Sequence, residues 1–372
     1  MIRQKPGGLM SLIFWLVLLV PSVVLYSQSI IENPEKPVSP NAGRVLPLKE
    51  VMRITDEKGA FFFKQPGCLR VAADGSIFYG DWDKFLYKFT ANGKFENNLA
   101  RKGEGPGEVR EFGEFLLENE KIILDDSMSN KIITMDLEGN LVDEFNLGSK
   151  RFINLIAFRN GTYYLVDYFR KDFERKSGLK EIGHDLYAVS RNGESVKMPC
   201  ALPTTESVYY GDRVTSSSPV TAIQKAEDED RYVYLSSTQD YLIKLLDLEK
   251  RGIVQAFRRA YKHVPFEPKV SEKQWYRDHG YPDHHNDVQK LLVHGDFLWV
   301  LTSTIEKDKG ILTDVFDREG KYIDCFYLPL PRLKRNWIGF PPMTVSGSFL
   351  YTVEWNDDGD IFIVKYRIGG EA

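Results

Sequence analysis

The chain is poor in the residues that build covalent frameworks or ready-made chemistry. Three of its 372 residues are cysteine, at Cys68, Cys200 and Cys325. An odd count at scattered positions is not a disulfide framework; one pair could form, and buried free thiols are the default expectation. There is no Cys-x-x-Cys, which excludes a zinc ribbon or a thioredoxin-like site. No Gly-x-Ser-x-Gly, His-Glu-x-x-His or nucleophile–base motif is present, although catalytic pairs can also assemble from distant loops. No run of lysine and arginine stands out, and the formal net charge is −4. Without a basic stripe the chain lacks the electrostatic footprint of a nucleic-acid binder.

The N-terminus carries a different signal. Arg3 and Lys5 precede an apolar stretch over residues 9–25, followed by Tyr26-Ser-Gln-Ser-Ile. A basic segment, an apolar segment and small residues read as a signal peptide over 1–27, with cleavage after Ser27. An uncleaved membrane anchor is the minor alternative, because the stretch is near the lower limit for a span and carries Pro21. No cysteine follows it, so a bacterial lipid anchor is unsupported. The mature chain is expected to be periplasmic or secreted and to have no membrane span. Residues 28–43, rich in proline and polar residues, read as a linker.

What the rest of the chain does have is a period. Ser76-Ile-Phe-Tyr-Gly-Asp-Trp82 is a turn, an apolar run and a polar end, and related segments lie at 121–127, 162–168, 231–237, 297–303 and 348–354. β-Branched and aromatic residues on a period near two mean strands. A second strand follows each, at 85–89, 131–137, 185–190, 241–248, 311–317 and 360–366. Asn92-Gly93, Glu138-Gly139, Asn192-Gly193 and Glu319-Gly320 then supply the positive φ that short hairpin turns need. Outer strands such as 94–99, 141–147, 253–257 and 322–328 come next. Shorter inner strands precede the units, at 68–73, 112–118, 153–159, 220–226, 288–294 and 338–346. One four-strand order repeated six times predicts an all-β, six-bladed β-propeller over 44–372. A β-sandwich has no reason to repeat that order, and a β-helix has shorter coils. The sixth unit stops after its third strand. Residues 44–54 are expected to supply the missing outer strand, closing the ring and removing two exposed sheet edges.

Two segments carry a family likeness. They are Asp74-Gly-Ser-Ile-Phe-Tyr-Gly-Asp81 with Leu86-Tyr-Lys-Phe-Thr-Ala-Asn-Gly-Lys-Phe95, and Lys102-Gly-Glu-Gly-Pro-Gly-Glu-Val109. They resemble the NHL-repeat-like six-bladed propellers of exported bacterial proteins, whose signature reads Gly-x-Gly-Pro-Gly-Glu-Phe; here Val109 takes the last place. The likeness is sharp over the first two units, and later units keep only the pattern. It implies fold and export. Many members of that family have no assigned activity.

In a propeller, the loops from each outer strand to the next inner strand share a face with the turns between the two middle strands. Ligands bind on that face by analogy with the fold. Trp82, Arg101, Asp126, Asp167, Arg170, Tyr210, Arg213 and Trp355 are the ligand-binding candidates there. Loops 198–219 and 258–286 are longer than ordinary connections. Asp126 and Asp167 could hold calcium or a cationic ligand, or accept turn hydrogen bonds. Arg170, Tyr210 and Arg213 could recognise an anionic group. Gly103-Glu-Gly-Pro-Gly-Glu108 lacks a following helix and the Lys-Ser/Thr of a phosphate loop, so it reads as a rigid turn. Trp275-Tyr-Arg-Asp-His-Gly-Tyr-Pro-Asp-His-His-Asn-Asp287 holds three of the six histidines. His279, His284, His285 and Asp287 are candidate donors for zinc or calcium, although adjacent histidines seldom place both rings on one ion. The expected function is non-catalytic binding of a peptide, glycan or envelope protein by a monomer. The alternative is a metal-dependent hydrolase or lyase, lactonase-like or peptide-amidating-lyase-like, with its site over the central channel.

Overall fold

The structure, a computed structural model, describes residues 29–369 apart from 57–58, 83–84, 150–151, 168–176, 211–214, 228–230, 269, 272, 275–276, 278–279 and 331–339. The repeated units fold as six antiparallel sheets, each ordered from an inner strand outwards. Blade one is Pro66–Val71, Ile77–Asp81, Phe85–Phe89 and Phe95–Asn98. Blade two is Phe112–Glu118, Lys121–Asp126, Lys131–Asp136 and Leu141–Asn146. Blade three is Phe152–Arg159, Thr162–Asp167, Gly178–Ser190 and Ser195–Tyr210, with Thr215–Pro219 added beyond. Blade four is Gln224–Glu227, Tyr232–Ser236, Ile243–Asp247 and Gly252–Arg259. Blade five is Val288–His294, Phe297–Glu306, Gly310–Phe316 and Tyr322–Leu328. Blade six is Met343–Ser346, Phe349–Trp355, Ile361–Ile368 and Leu48–Ile54.

Middle strands are buried on both faces, and alternation decides which neighbour each side chain meets. Ile77 and Tyr79 pack toward blade six, while Phe78 between them packs toward blade two. Likewise Ile122 and Leu124 meet blade one and Ile123 meets blade three. The result is an apolar cluster at every junction between blades. Each fully buried Leu, Ile or Phe contributes ~1.5–3 kcal/mol. Surface ion pairs such as Arg191–Asp143 contribute ~0–1 kcal/mol, so the clusters and not the charges hold the ring.

Closure follows the expected route with a refinement. Leu48–Ile54 pairs antiparallel with Ile361–Ile368, with Ile54 opposite Ile363. Arg44–Val45, also expected there, pairs parallel with the outer strand of blade five, Arg44 opposite Phe326. The stretch read as a linker is itself laid along the ring. Ile30–Asn33 adds a parallel strand to the outer edge of blade four. Ser39 N–H then donates to Ile323 O at 3.0 Å and Gly43 N–H to Cys325 O at 2.9 Å. Residues 30–54 thus form a belt that crosses blades four, five and six in turn.

Asn33 fastens the belt where blade four meets blade five. Its Nδ2 donates to Arg258 O at 3.1 Å and Gly320 O at 2.9 Å, and its Oδ1 accepts from Tyr322 N–H at 2.9 Å. Gly320 is needed at this crossing. Its φ is +75°, and a Cβ there would lie 2.7 Å from the Phe257 ring of blade four.

Most of the stretch expected as loop 198–219 is strand, as part of Ser195–Tyr210 and as Thr215–Pro219. Gly178 pairs with Val208 and His184 with Leu202, so two strands of blade three rise as one long hairpin past the rest of the blade. Thr204, Thr205 and Val208 suit a pleated surface, which the length of the segment hides in the sequence. The three cysteines are free, with Cys68 and Cys325 buried. No helix among the described residues is long and apolar enough to cross a membrane.

Candidate functional site

The inner strands enclose a cavity of about 1630 Å³ along the axis of the ring. Its waist is a knot of charge. Arg70 Nη2 of blade one lies 3.1 Å from Glu114 Oε1 of blade two and 3.7 Å from Glu227 Oε1 of blade four. Lys225 Nζ lies 3.4 Å from Glu114 Oε2 and 3.8 Å from Glu227 Oε1. Burial acts to raise the Glu114 carboxyl, but Lys225 and Arg70 overcome it and hold the group below the usual carboxylate range. Burial and then the nearby Arg70 charge bring the Lys290 ammonium down to about 8. Behind the knot, burial pushes the Asp125 carboxyl up to about 7. These groups hold the blades in register around the axis and constrict the passage.

One mouth of the cavity opens at the loop face. Trp82 stands there, 43% exposed, at the end of a blade-one strand. Gly67 makes its pose possible, since a Cβ at that position would lie 2.6 Å from Trp82 Cδ1. Trp355 of blade six also lines the mouth. The tall hairpin of blade three contributes a polar wall of His184, Thr204 and Glu206. His184 Nδ1 is 3.8 Å from Asp167 Oδ1, and its Nε2 is 3.8 Å from Glu206 Oε1. Burial raises the Glu206 carboxyl. Thr204 Oγ1 and Glu206 Oε2 are buried in this wall and make no hydrogen bond among the described residues. Both atoms are sealed from solvent, so it is the remaining polar edges of His184, Thr204 and Glu206 that face the cavity.

The remaining candidates fall elsewhere or are already committed. Asp126 accepts from the backbone N–H groups of Arg110 at 2.9 Å, Glu111 at 3.1 Å and Ser129 at 3.2 Å. Asp167 accepts Asp185 N–H at 2.8 Å. Arg101 is exposed in the glycine-rich turn, where Arg101–Lys102 pairs with Glu108–Val109. In that turn Glu108 Oε2 accepts Gly105 N–H at 2.8 Å and Lys131 Nζ donates to Gly105 O at 3.1 Å. Tyr210 ends a blade-three strand opposite Thr215. Arg170, Arg213 and His279 lie outside the described residues, as does the apolar N-terminal segment.

Of the candidate metal donors, His284 and Asp287 come together, and His263 and Asp240 join them. His285 does not; its ring packs edge-on against Phe266, with centroids 5.1 Å apart. Residue 284 forms a β-bridge with Pro265, so the chain is extended there and successive side chains point opposite ways. Sequence reasoning missed His263 and Asp240 because each sits alone, one past a blade-four strand and one in a blade-four turn.

The same junction holds a buried polar hub. Arg259 donates to both oxygens of Asp314, at 2.7 and 3.1 Å. The hydroxyls of Tyr241 and Tyr322 donate to Asp314 at 2.9 and 2.7 Å. With its charge and both oxygens matched, the group reads as structural.

The signature of the family DUF5128, described as a 6-bladed beta-propeller, matches residues 58–323, and the chain belongs to that family. Two solved structures share the fold. One is a Bacteroides fragilis protein described as exported, at 13% identity and TM-score 0.55, covering 92% of this chain and 100% of that one. The other is a member of the DUF4221 family from Bacteroides vulgatus, at 9% identity and TM-score 0.55, covering 88% and 99%. A search of curated proteins finds no significant match.

Proposed function

We infer that this chain is an exported binding propeller that takes a glycan at the mouth of its central cavity. The observation that carries the reading is the pairing at that mouth. An exposed Trp82 ring set against Gly67 shares the cavity with a polar wall of His184, Thr204 and the Glu206 carboxylate. A sugar has a CH-rich face that stacks on indole and hydroxyls that bond a carboxylate. Peptides offer the same features less densely. The charge knot below suits a ligand that enters the mouth and stops there. A lactonase-like or lyase-like enzyme would draw metal donors from several blades around the channel. The four-donor group of this chain is not in the cavity lining, which favours binding over that chemistry. Export rests on the basic and apolar N-terminal segments and agrees with the exported Bacteroides fragilis protein of the same fold.

The test is a glycan microarray followed by titration of the best hit against intrinsic tryptophan fluorescence. Trp82→Ala and Glu206→Gln should each weaken binding at least tenfold, with circular dichroism unchanged. No hit on the glycan array, or binding that survives both substitutions, would overturn the reading.

A further inference from the structure

We propose that Asp240, His263, His284 and Asp287 form a binding site for one divalent transition-metal ion, zinc by the chemistry of its donors, between blades four and five. The site is independent of the glycan reading.

The donors come from three separate segments. Asp240 is in the turn between the middle strands of blade four. His263 follows that blade's outer strand, Gly252–Arg259, and His284 and Asp287 precede Val288–His294 of blade five. One donor atom from each, all four together, lie within 4.8 Å of one another. Donors on a tetrahedral zinc sit ~3.3–3.6 Å apart, given bonds of ~2.0–2.2 Å. Closing that gap asks for small rotations. Asp240 and His263, with side chains 75% and 50% exposed, are free to make them.

Hydrogen bonding around the group points the same way. His284 Nδ1 lies 2.6 Å from Asp283 Oδ1, the carboxylate contact that metal-binding histidines use to fix their tautomer. With Nδ1–H given to Asp283, Nε2 carries a lone pair. Among the described residues that buried Nε2 has no hydrogen-bond partner, and Asp240 Oδ1 faces it at 3.4 Å. With Nε2 unprotonated, two acceptors face each other there, an arrangement that a metal ion or a proton between them relieves. His263 Nδ1 is 3.0 Å from both oxygens of Asp287, and its ring lies over that of His284 with centroids 4.1 Å apart. Asp287 is fully buried, and Tyr241 N–H holds its Oδ2 at 2.9 Å. Gln239 Nε2 fixes the backbone of His284 through its carbonyl at 2.7 Å.

Two neutral imidazoles and two carboxylates carry a charge of −2, which one divalent ion neutralises. Imidazole donors select zinc and its neighbours over calcium or magnesium. Four protein donors fill a tetrahedral shell, the arrangement of a structural ion rather than a catalytic one. Bound there, the ion pins both ends of the excursion between blades four and five to the turn of blade four.

The test uses the full chain, purified without a metal-affinity tag and stripped with chelator. Cobalt(II) is the spectroscopic probe and zinc the calorimetric titrant. The expected result is one ion per chain, with the intense visible absorption of tetrahedral cobalt and a zinc-dependent rise in melting temperature. His284→Ala should weaken zinc at least 100-fold. His263→Ala and Asp240→Ala change exposed side chains, and each should weaken it at least tenfold. His285→Ala should leave it unchanged. A folded chain that gives no tetrahedral cobalt spectrum would overturn the proposal. So would zinc binding that persists in His284→Ala, or that falls as far in His285→Ala.

Discussion

Replacing Asp125 with asparagine should stabilise the fold above neutral pH and change little in acid. Asp125 is 5% exposed and sits behind the charge knot of the channel, facing Glu114 and Lys225. Its Oδ1 accepts the backbone N–H of Glu114. Burial raises its carboxyl from 3.8 to about 7 in the folded chain. A folded value above the unfolded one means that the favourable contribution is fully present below 3.8 and is lost as pH rises through about 7. The interval from 3.8 to about 7, at ~1.4 kcal/mol per pH unit, comes to ~4 kcal/mol lost. Asparagine keeps an acceptor for the Glu114 amide and carries no charge to bury. Urea unfolding of both chains, followed by tryptophan fluorescence at about pH 4, 6 and 8, measures the difference. Other titrating groups cancel in that difference, apart from Glu114 and Lys225, whose charges act on Asp125. The variant's advantage should grow by ~4 kcal/mol across the series. A constant offset only reports how well the amide fits. A difference flat to within ~1 kcal/mol would mean that Asp125 is ionised at no cost and that its carboxyl is not raised by burial.

Two further substitutions probe the scaffold. Asn33→Ala removes three hydrogen bonds at the crossing of the belt with blades four and five and should cost ~2–3 kcal/mol, read by urea unfolding; no loss would mean that the belt is ornamental. Asp314→Ala strands the Arg259 guanidinium, which is 7% exposed, and should cost ~3–5 kcal/mol. The pair Asp314→Leu with Arg259→Met should recover most of that loss in the same assay, and failure to recover would show that the two tyrosine hydroxyls matter more than the charge.

The fold was legible because each propeller blade writes the same local physics into the chain. The apolar runs within 77–81 and 121–126, with Gly93 and Gly139 at the hairpin turn one strand later, are visible without knowing any neighbour. Elements that depend on a neighbour were not visible. Ile30-Ile-Glu-Asn33 is too short to announce a strand and becomes one only along the edge of blade four. The hairpin over 178–210 hides because its two arms exceed the length that the other blades teach the reader to expect. The site followed the same rule. His284 and Asp287 were visible as a local cluster, and His285 was included with them because sequence proximity cannot tell the two sides of an extended segment apart. His263 and Asp240 belong to the group only because the ring sets a turn and an outer edge of blade four beside the entry to blade five. Periodic sequence therefore reports the blade, while chemistry at a junction between blades is written in residues that look solitary. Other chemistry in this chain should be sought in the same way, at the ends of neighbouring strands and not within any one motif.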